Sequence, residues 1–212
     1  MTVSEILENA ARGTPPPVDG LVDLVPRPAG VVAAVLGFTG HHVVAADVER
    51  AWVDERVARW DLSAPFSPRF LGGLAERVGW PAGTLDVVLI ATRPPTPLHL
   101  RRLSEADAAP FHAGSPHPRR DAQVWQTPDG AGTVIVARGL SDRWELRFDV
   151  AEGRQGRGIG RALAGVAPAL VPPTDLLFAQ VAPGNVASLR ALLGAGYRPI
   201  GSEVLFFGTG GD

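Results

Sequence analysis

The twelve residues from Val150 to Arg161 read V-A-E-G-R-Q-G-R-G-I-G-R, a run whose types and spacing suit an anion. Glycine at 156, 158 and 160 lets the backbone approach a ligand that a Cβ would hold away. Backbone N–H groups in such a turn converge on one point. The start of a following helix adds partial positive charge there, so a pyrophosphate fits. Arg154, Arg157 and Arg161 bring full charges to the same stretch. The competing reading is a surface turn kept open only for packing, because short glycine patterns recur by chance.

The elements around the loop are those a phosphate cradle needs. Trp144 to Val150 places apolar residues at alternate positions, which predicts a strand. Ile159, Leu163, Val166 and Ala167 recur at helical spacing. Two better-known loops are excluded by residue type. The chain contains no lysine, so the lysine that ends a Walker A loop is missing. The dinucleotide fingerprint needs different glycine offsets and an acidic residue about 20 positions on. Here the next acidic residue, Asp175, comes after Pro172-Pro173.

Gln155-x-x-Gly158-x-Gly160 resembles the Q/R-x-x-G-x-G/A signature of the GNAT superfamily, the acyl-CoA-dependent N-acyltransferases. A second stretch, Asn185 to Tyr197, resembles that family's N-x-x-A/S helix followed by a glycine–aromatic pair. Leu176 to Val181 between them reads as a strand. The resemblance covers about residues 98 to 208. It implies an α/β (α+β) GNAT fold, a mixed and mostly antiparallel sheet flanked by helices, here with an additional N-terminal α/β region. It also implies acetyl-CoA as cosubstrate and transfer of the acetyl group to an amine by direct attack. The acceptor is a small-molecule amine or a protein or peptide amine.

Carried over residue by residue, the resemblance gives the backbone of Phe148 and Val150 to the pantetheine arm. The Val150 N–H would polarise the thioester carbonyl, the logic of an oxyanion hole. Gln155, Gly156, Arg157, Gly158, Ile159 and Gly160, with Arg161 beside them, would hold the pyrophosphate. Asn185 would cap its helix and hydrogen-bond the pantetheine, with Ser188 near the same arm. An ordinary N-cap is the alternative for Asn185.

Two departures bear on catalysis. Many family members carry a tyrosine seven residues after the Asn, placed to protonate the leaving thiolate; this chain has Leu192 there. Its only tyrosine, Tyr197, matches the family's packing aromatic and is expected in the core. A general base must free the amine of its proton. Glu145 is the foremost candidate, with Asp149 and Glu203 behind it, each weighed against a plain ion-paired role. A non-catalytic acyl-CoA-binding or regulatory protein is the rival reading.

Composition narrows the rest. With 22 carboxylates against 20 basic residues the net charge is −2, which gives no general basic surface for nucleic acid or anionic membrane. Zero cysteines exclude a thiol nucleophile, a disulfide and a thiolate–zinc site; no metal is expected. His41-His42 points to opposite faces of a strand, and His99, His112 and His117 form no constellation. An acidic start without a long apolar run suggests a cytoplasmic protein. A homodimer is one open assembly.

Residues 1–20, ending in Thr14-Pro15-Pro16-Pro17, read as a tail, and 21–94 as an N-terminal α/β region. That region is either a degenerate acetyltransferase-like module or an extension completing the acceptor side. Within it, Asp47 is a cap for a helix over 48–57, Ser67-Pro68 opens another, and 85–91 is a buried strand. Arg93 to Pro97 marks the boundary to a GNAT acyl-CoA-binding domain over 95–212.

Overall fold

The computed structural model describes residues 1–112 and 119–207, so His117 lies outside the described residues. The chain divides into two compact units. The first comprises Met1–Val88, Leu140–Asp142 and the chain from Ile200; the second comprises Leu89–Gly139 and Arg143–Pro199. The expected domain over 95–212 therefore gives up its last strand. The physical reason is pairing: residues Ser202 to Phe206 lie antiparallel to Gly37 to Ala33 of the first unit.

The expected tail is also corrected. Helix α1 (Val3–Ala11) begins at a capping box in which Thr2 Oγ1 accepts the Glu5 N–H and the Glu5 carboxylate accepts the Thr2 N–H. Its buried residues Val3, Ile6, Leu7 and Ala10 form one helical face. In the first unit, β1 (Val22–Val25) runs parallel to β3 (His41–Ala45). β3 pairs antiparallel with β2 (Ala33–Phe38), which in turn pairs with the late strand β10 (Tyr197–Phe206). β2 and β3 are buried along their whole length, β2 as a near-continuous apolar run and β3 with His41 and His42 buried ahead of Val43-Val44-Ala45.

Helix α2 (Arg50–Asp54) is shorter than the expected 48–57. Glu49 occupies its cap position without a side-chain hydrogen bond, while Asp47 pairs with Arg27 at 3.0 Å. Helix α3 (Pro68–Val78) starts as expected at Ser67 and ends on Gly79. Trp52, Val53, Phe70 and Leu74 from these helices close a core with Val35, Val44, Val204 and Phe206. β4 (Ala82–Ala91) follows.

The second unit opens with β5 (Arg101–Arg102) and α4 (Glu105–His112), whose Ser104 accepts the Asp107 N–H. β6 (Arg120–Gln126), β7 (Gly132–Arg138) and β8 (Trp144–Val150) form the expected antiparallel meander. From β8 the chain passes through α5 (Ile159–Val166) to β9 (Leu177–Val181), parallel to β8, and on into α6 (Val186–Ala195). Each unit is thus a mixed, mostly antiparallel sheet with helices against it. In the second unit, α5 packs against β7, β8 and α6, which sets the helix start beside the end of β8. Among the described residues no helix is long and apolar enough to cross a membrane.

Candidate functional site

Pairing between β8 and β9 sets the site. It runs from Trp144↔Leu177 to Leu146↔Ala179 and stops there. Past Leu146 only the β7 side of β8 is paired. On that side Ala151 N–H donates to Ala131 O at 3.0 Å, and the register aligns Val150 with Gly132. Antiparallel pairs alternate, so the N–H and C=O groups of Phe148 and Val150 turn away from β7, to the open side. Two residues' worth of strand backbone is therefore offered to an extended partner.

Beyond Val150 the chain turns into α5 through Gly153, Gly156 and Gly158, all at positive φ. Gly158 takes the N-cap position of α5 at φ +81° with no side-chain cap, leaving the first amide groups of the helix without an internal acceptor. A Cβ at Gly156 or Gly158 would meet nothing within 4 Å, so the space over the loop is open. Gly160 answers a different need. A Cβ there would sit 3.1 Å from the Phe148 ring and 3.6 Å from Ala191 Cβ, so the glycine lets α5 lie close to β8 and α6.

These elements enclose a cleft of about 630 Å³. The structure brings together there every expected binding residue except Arg157: Phe148, Val150, Gln155, Gly156, Gly158, Ile159, Gly160, Arg161, Asn185 and Ser188. It adds Ala187, Arg190 and Ala191 from α6, together with Asp149 and Arg154. Gln155 Nε2 donates back to Val150 O at 3.3 Å. Asn185 Oδ1 accepts the Ser188 N–H at 3.1 Å, an N-cap, while its Nδ2 makes no hydrogen bond to a described residue. Arg154 meets Asp129 at 2.6 Å. Thr127 and the Ala131 N–H hold the Asp129 carboxyl below the usual carboxylate range, so this partner stays charged.

The proton-transfer candidates lie elsewhere. Glu145 is fully buried and does not line the cleft. Its carboxylate pairs with Arg143 at 2.9 Å and Arg119 at 3.3 Å, and it packs where a Cβ on Gly139 would collide with it. Its oxygens face these two guanidinium groups and not the cleft, so Glu145 is not placed to take a proton from a ligand there. Asp149 lines the cleft but pairs with Arg147 at 3.2 Å. Glu203 is buried in the first unit.

Leu192 is buried to 2% exposure, so the position where the resemblance expects an acid faces the core rather than the cleft. Tyr197 is buried as well. Its hydroxyl donates to Ala164 O at 3.2 Å, and burial pushes its pKa well above the ordinary phenol value. In the first unit, His41 Nδ1 lies 2.9 Å from Asp19 while His42 packs edge-on against Phe66 at 5.4 Å, so the two histidines diverge. Among the described residues no group of three or more His, Cys, Asp or Glu is arranged to hold a metal ion.

No known family profile matches the chain, and no curated protein matches it. Among solved structures, the chain is similar to three proteins described as GNAT-family or GCN5-related acetyltransferases. One, a candidate acetyltransferase from Novosphingobium aromaticivorans, is 16% identical over 60% of this chain and 66% of its own, with a TM-score of 0.47. Another, from Colwellia psychrerythraea, is 13% identical over 66% of this chain and 62% of its own, TM-score 0.44. A GCN5-related N-acetyltransferase from Kribbella flavida is 16% identical over 98% of this chain and 94% of its own, TM-score 0.45. The chain thus spans just under two thirds of the length of the first two.

Proposed function

We propose that the protein is an acyl-CoA-dependent N-acyltransferase that moves the acetyl group of acetyl-CoA to an amine. The observation that carries this reading is the conjunction at the end of β8: an open strand edge leading directly into an uncapped, glycine-rich helix start. A pantetheine amide chain terminated by a pyrophosphate has that same order of chemistry, amides first and anion second. The cleft fits such a ligand in its donors and in the space over Gly156 and Gly158.

In this reading Phe148 and Val150 pair with the arm as an added strand would. Asn185 Nδ2 donates to it, and Gln155 to Gly160 cradle the pyrophosphate. Acetyl-CoA supplies an activated acyl carbon. A C–N bond to the amine forms as the C–S bond breaks, and the amine's proton passes to water or to the departing thiolate. The Val150 N–H is positioned to stabilise charge developing on the carbonyl oxygen. Titration calorimetry with acetyl-CoA tests the reading: saturable binding supports it, and no heat up to millimolar ligand overturns it.

A second reading has its own support. Glu145 is locked between arginines, and Leu192 fills the position where a proton donor is expected. Both features suit a protein that binds acyl-CoA without turning it over. Free-CoA release measured across a broad amine panel separates the two, since binding without release favours the second.

A further inference from the structure

Trp60, in the first unit, is held at φ +70°, a conformation that a bulky side chain rarely adopts. Two contacts hold it there. Its backbone N–H donates to Gly20 O at 2.9 Å, and its indole lies over Gly20 so closely that a Cβ on that glycine would collide with the ring. Beside it, Arg59 Nε donates to Asp19 O at 3.0 Å. One side of the indole is thus fixed against the chain, while the residue stays 55% exposed. Apolar neighbours continue the surface. Leu21 follows Gly20, Val18 lies against Gly40, whose carbonyl accepts the Gly20 N–H, and Leu62 stands two residues on from Trp60. All three are exposed. Backbone strain of this kind persists only where the surroundings over-determine it, and it clusters where a side chain has to be presented.

The margin of this patch is acidic. Asp19, Asp23 and Asp61 stand against Arg59 and against His41, whose ring nitrogens lie 2.9 Å from Asp19 and 3.4 Å from Asp23. Asp61 meets only uncharged groups, the Ser63 hydroxyl and the Ala64 N–H. Trp52, Trp125 and Trp144 each have an arginine over the ring, whereas among the described residues Trp60 has none. An indole face beside carboxylates attracts a cation. A two-fold contact between copies of the chain would set the acidic margin against itself, and an anionic lipid surface or nucleic acid would be repelled. We propose that Trp60, with Val18, Leu21 and Leu62, is a docking surface for a partner protein segment that presents an arginine or lysine beside an apolar side chain. The cation lies on the indole within reach of Asp61, and the apolar side chain covers Leu21 and Leu62. This surface does not depend on the acyl-CoA reading.

Nitrogen–proton NMR on the full chain tests this, because each of the five tryptophans gives an indole N–H signal and Trp60→Gly identifies the one at this patch. The probe is acetyl-Leu-Arg-Leu-Arg-Leu-Arg-amide, compared with the peptides that carry Gln or Glu in place of Arg. The arginine peptide should move the Trp60 signal saturably at millimolar concentration or below and leave the Trp80 signal in place. The glutamine peptide should bind at least about tenfold more weakly and the glutamate peptide not at all, and the difference should narrow at high salt. Asp61→Asn should weaken the arginine peptide by about threefold and leave the glutamine peptide within about twofold. Glycine accepts the positive φ, so Trp60→Gly should fold, and thermal melts report it. Leu62→Ser, at an exposed position, should weaken both peptides without touching the backbone at Trp60. A Trp60 signal unmoved by millimolar arginine peptide overturns the proposal. Equal affinity for the arginine and glutamine peptides also overturns it, since the patch would then be merely apolar. So does a Trp60 signal that moves with protein concentration alone, which would assign the surface to a second copy of the chain.

Discussion

Two helix starts in this chain use opposite chemistry. At α3 the Ser67 hydroxyl accepts the Phe70 N–H at 3.2 Å and donates to Ala64 O at 2.8 Å, and Pro68 removes one further donor. That end is closed by its own residues. At α5 the corresponding position is Gly158 at φ +81°, with no side chain to offer, so its amides must be met from outside. One start is satisfied within the chain, and the other leaves its donors available, where the proposed function puts the pyrophosphate. The difference lies in the cap residue and the one after it, Ser67-Pro68 against Gly158-Ile159.

The sharpest way to break the contrast is Gly158→Val. A branched residue at positive φ is strained, and its side chain enters the open space over the loop. Acetyl-CoA affinity should fall at least tenfold, about 1.4 kcal/mol, in calorimetry. Ser67→Ala is the complementary change. It should cost about 1 kcal/mol of unfolding free energy in urea titrations while leaving acetyl-CoA affinity unchanged. If instead Ser67→Ala weakened binding and Gly158→Val did not, the assignment of roles would be reversed.

Tyr197→Phe removes one buried hydrogen bond to α5 and should cost about 0.5–1.5 kcal/mol of stability. Any turnover should be nearly unchanged. A hundredfold loss with CoA affinity intact would make Tyr197 the proton donor after all. Arg157→Ala, outside the cleft, should weaken CoA only by a few-fold, about 0.5 kcal/mol, and less at high salt.

The smallest effect concerns pH. Burial, with His41 beside it, lowers the pKa of His42 in the folded protein. Above the unfolded value of about 6.5, His42 is neutral in both states and costs nothing. As pH falls below that value, the unfolded chain takes a proton that the folded chain refuses, so stability declines toward the depressed folded pKa. His42→Gln should flatten this part of the stability–pH curve between pH 7 and 5. An unaltered slope would place the acid sensitivity in another group.

What was legible in the sequence was mostly what backbone chemistry dictates locally. The loop glycines, the Asn185 cap and the meander from β6 to β8 follow from residue type and period. Arg190 and Ala191 were missed, although they follow Ala187 at helical spacing of three and four on the same face. Helix α1 was missed because the proline run at 15–17 outweighed a capping box and a clean apolar face. The burial of Glu145 was not legible, because alternation along β8 suggests one wet face whereas Trp144, Glu145 and Leu146 are all buried. The division near residue 90 left a local mark in the prolines at 94–97, but the return of the chain from Ile200 to the first unit left none. That return depends on β10 pairing with β2 across more than half the chain, and no local pattern reports it.

That same pairing has a consequence for synthesis. β2 is six buried residues long, and its partner on one side does not exist until the chain has been made as far as Phe206. A nascent chain would carry the apolar margin Ala33–Phe38 without this neighbour until the residues from Ser202 had emerged. Unpaired margins of that kind recruit other chains. Folding of this margin therefore waits on the last strand of the sheet pairing to be synthesised.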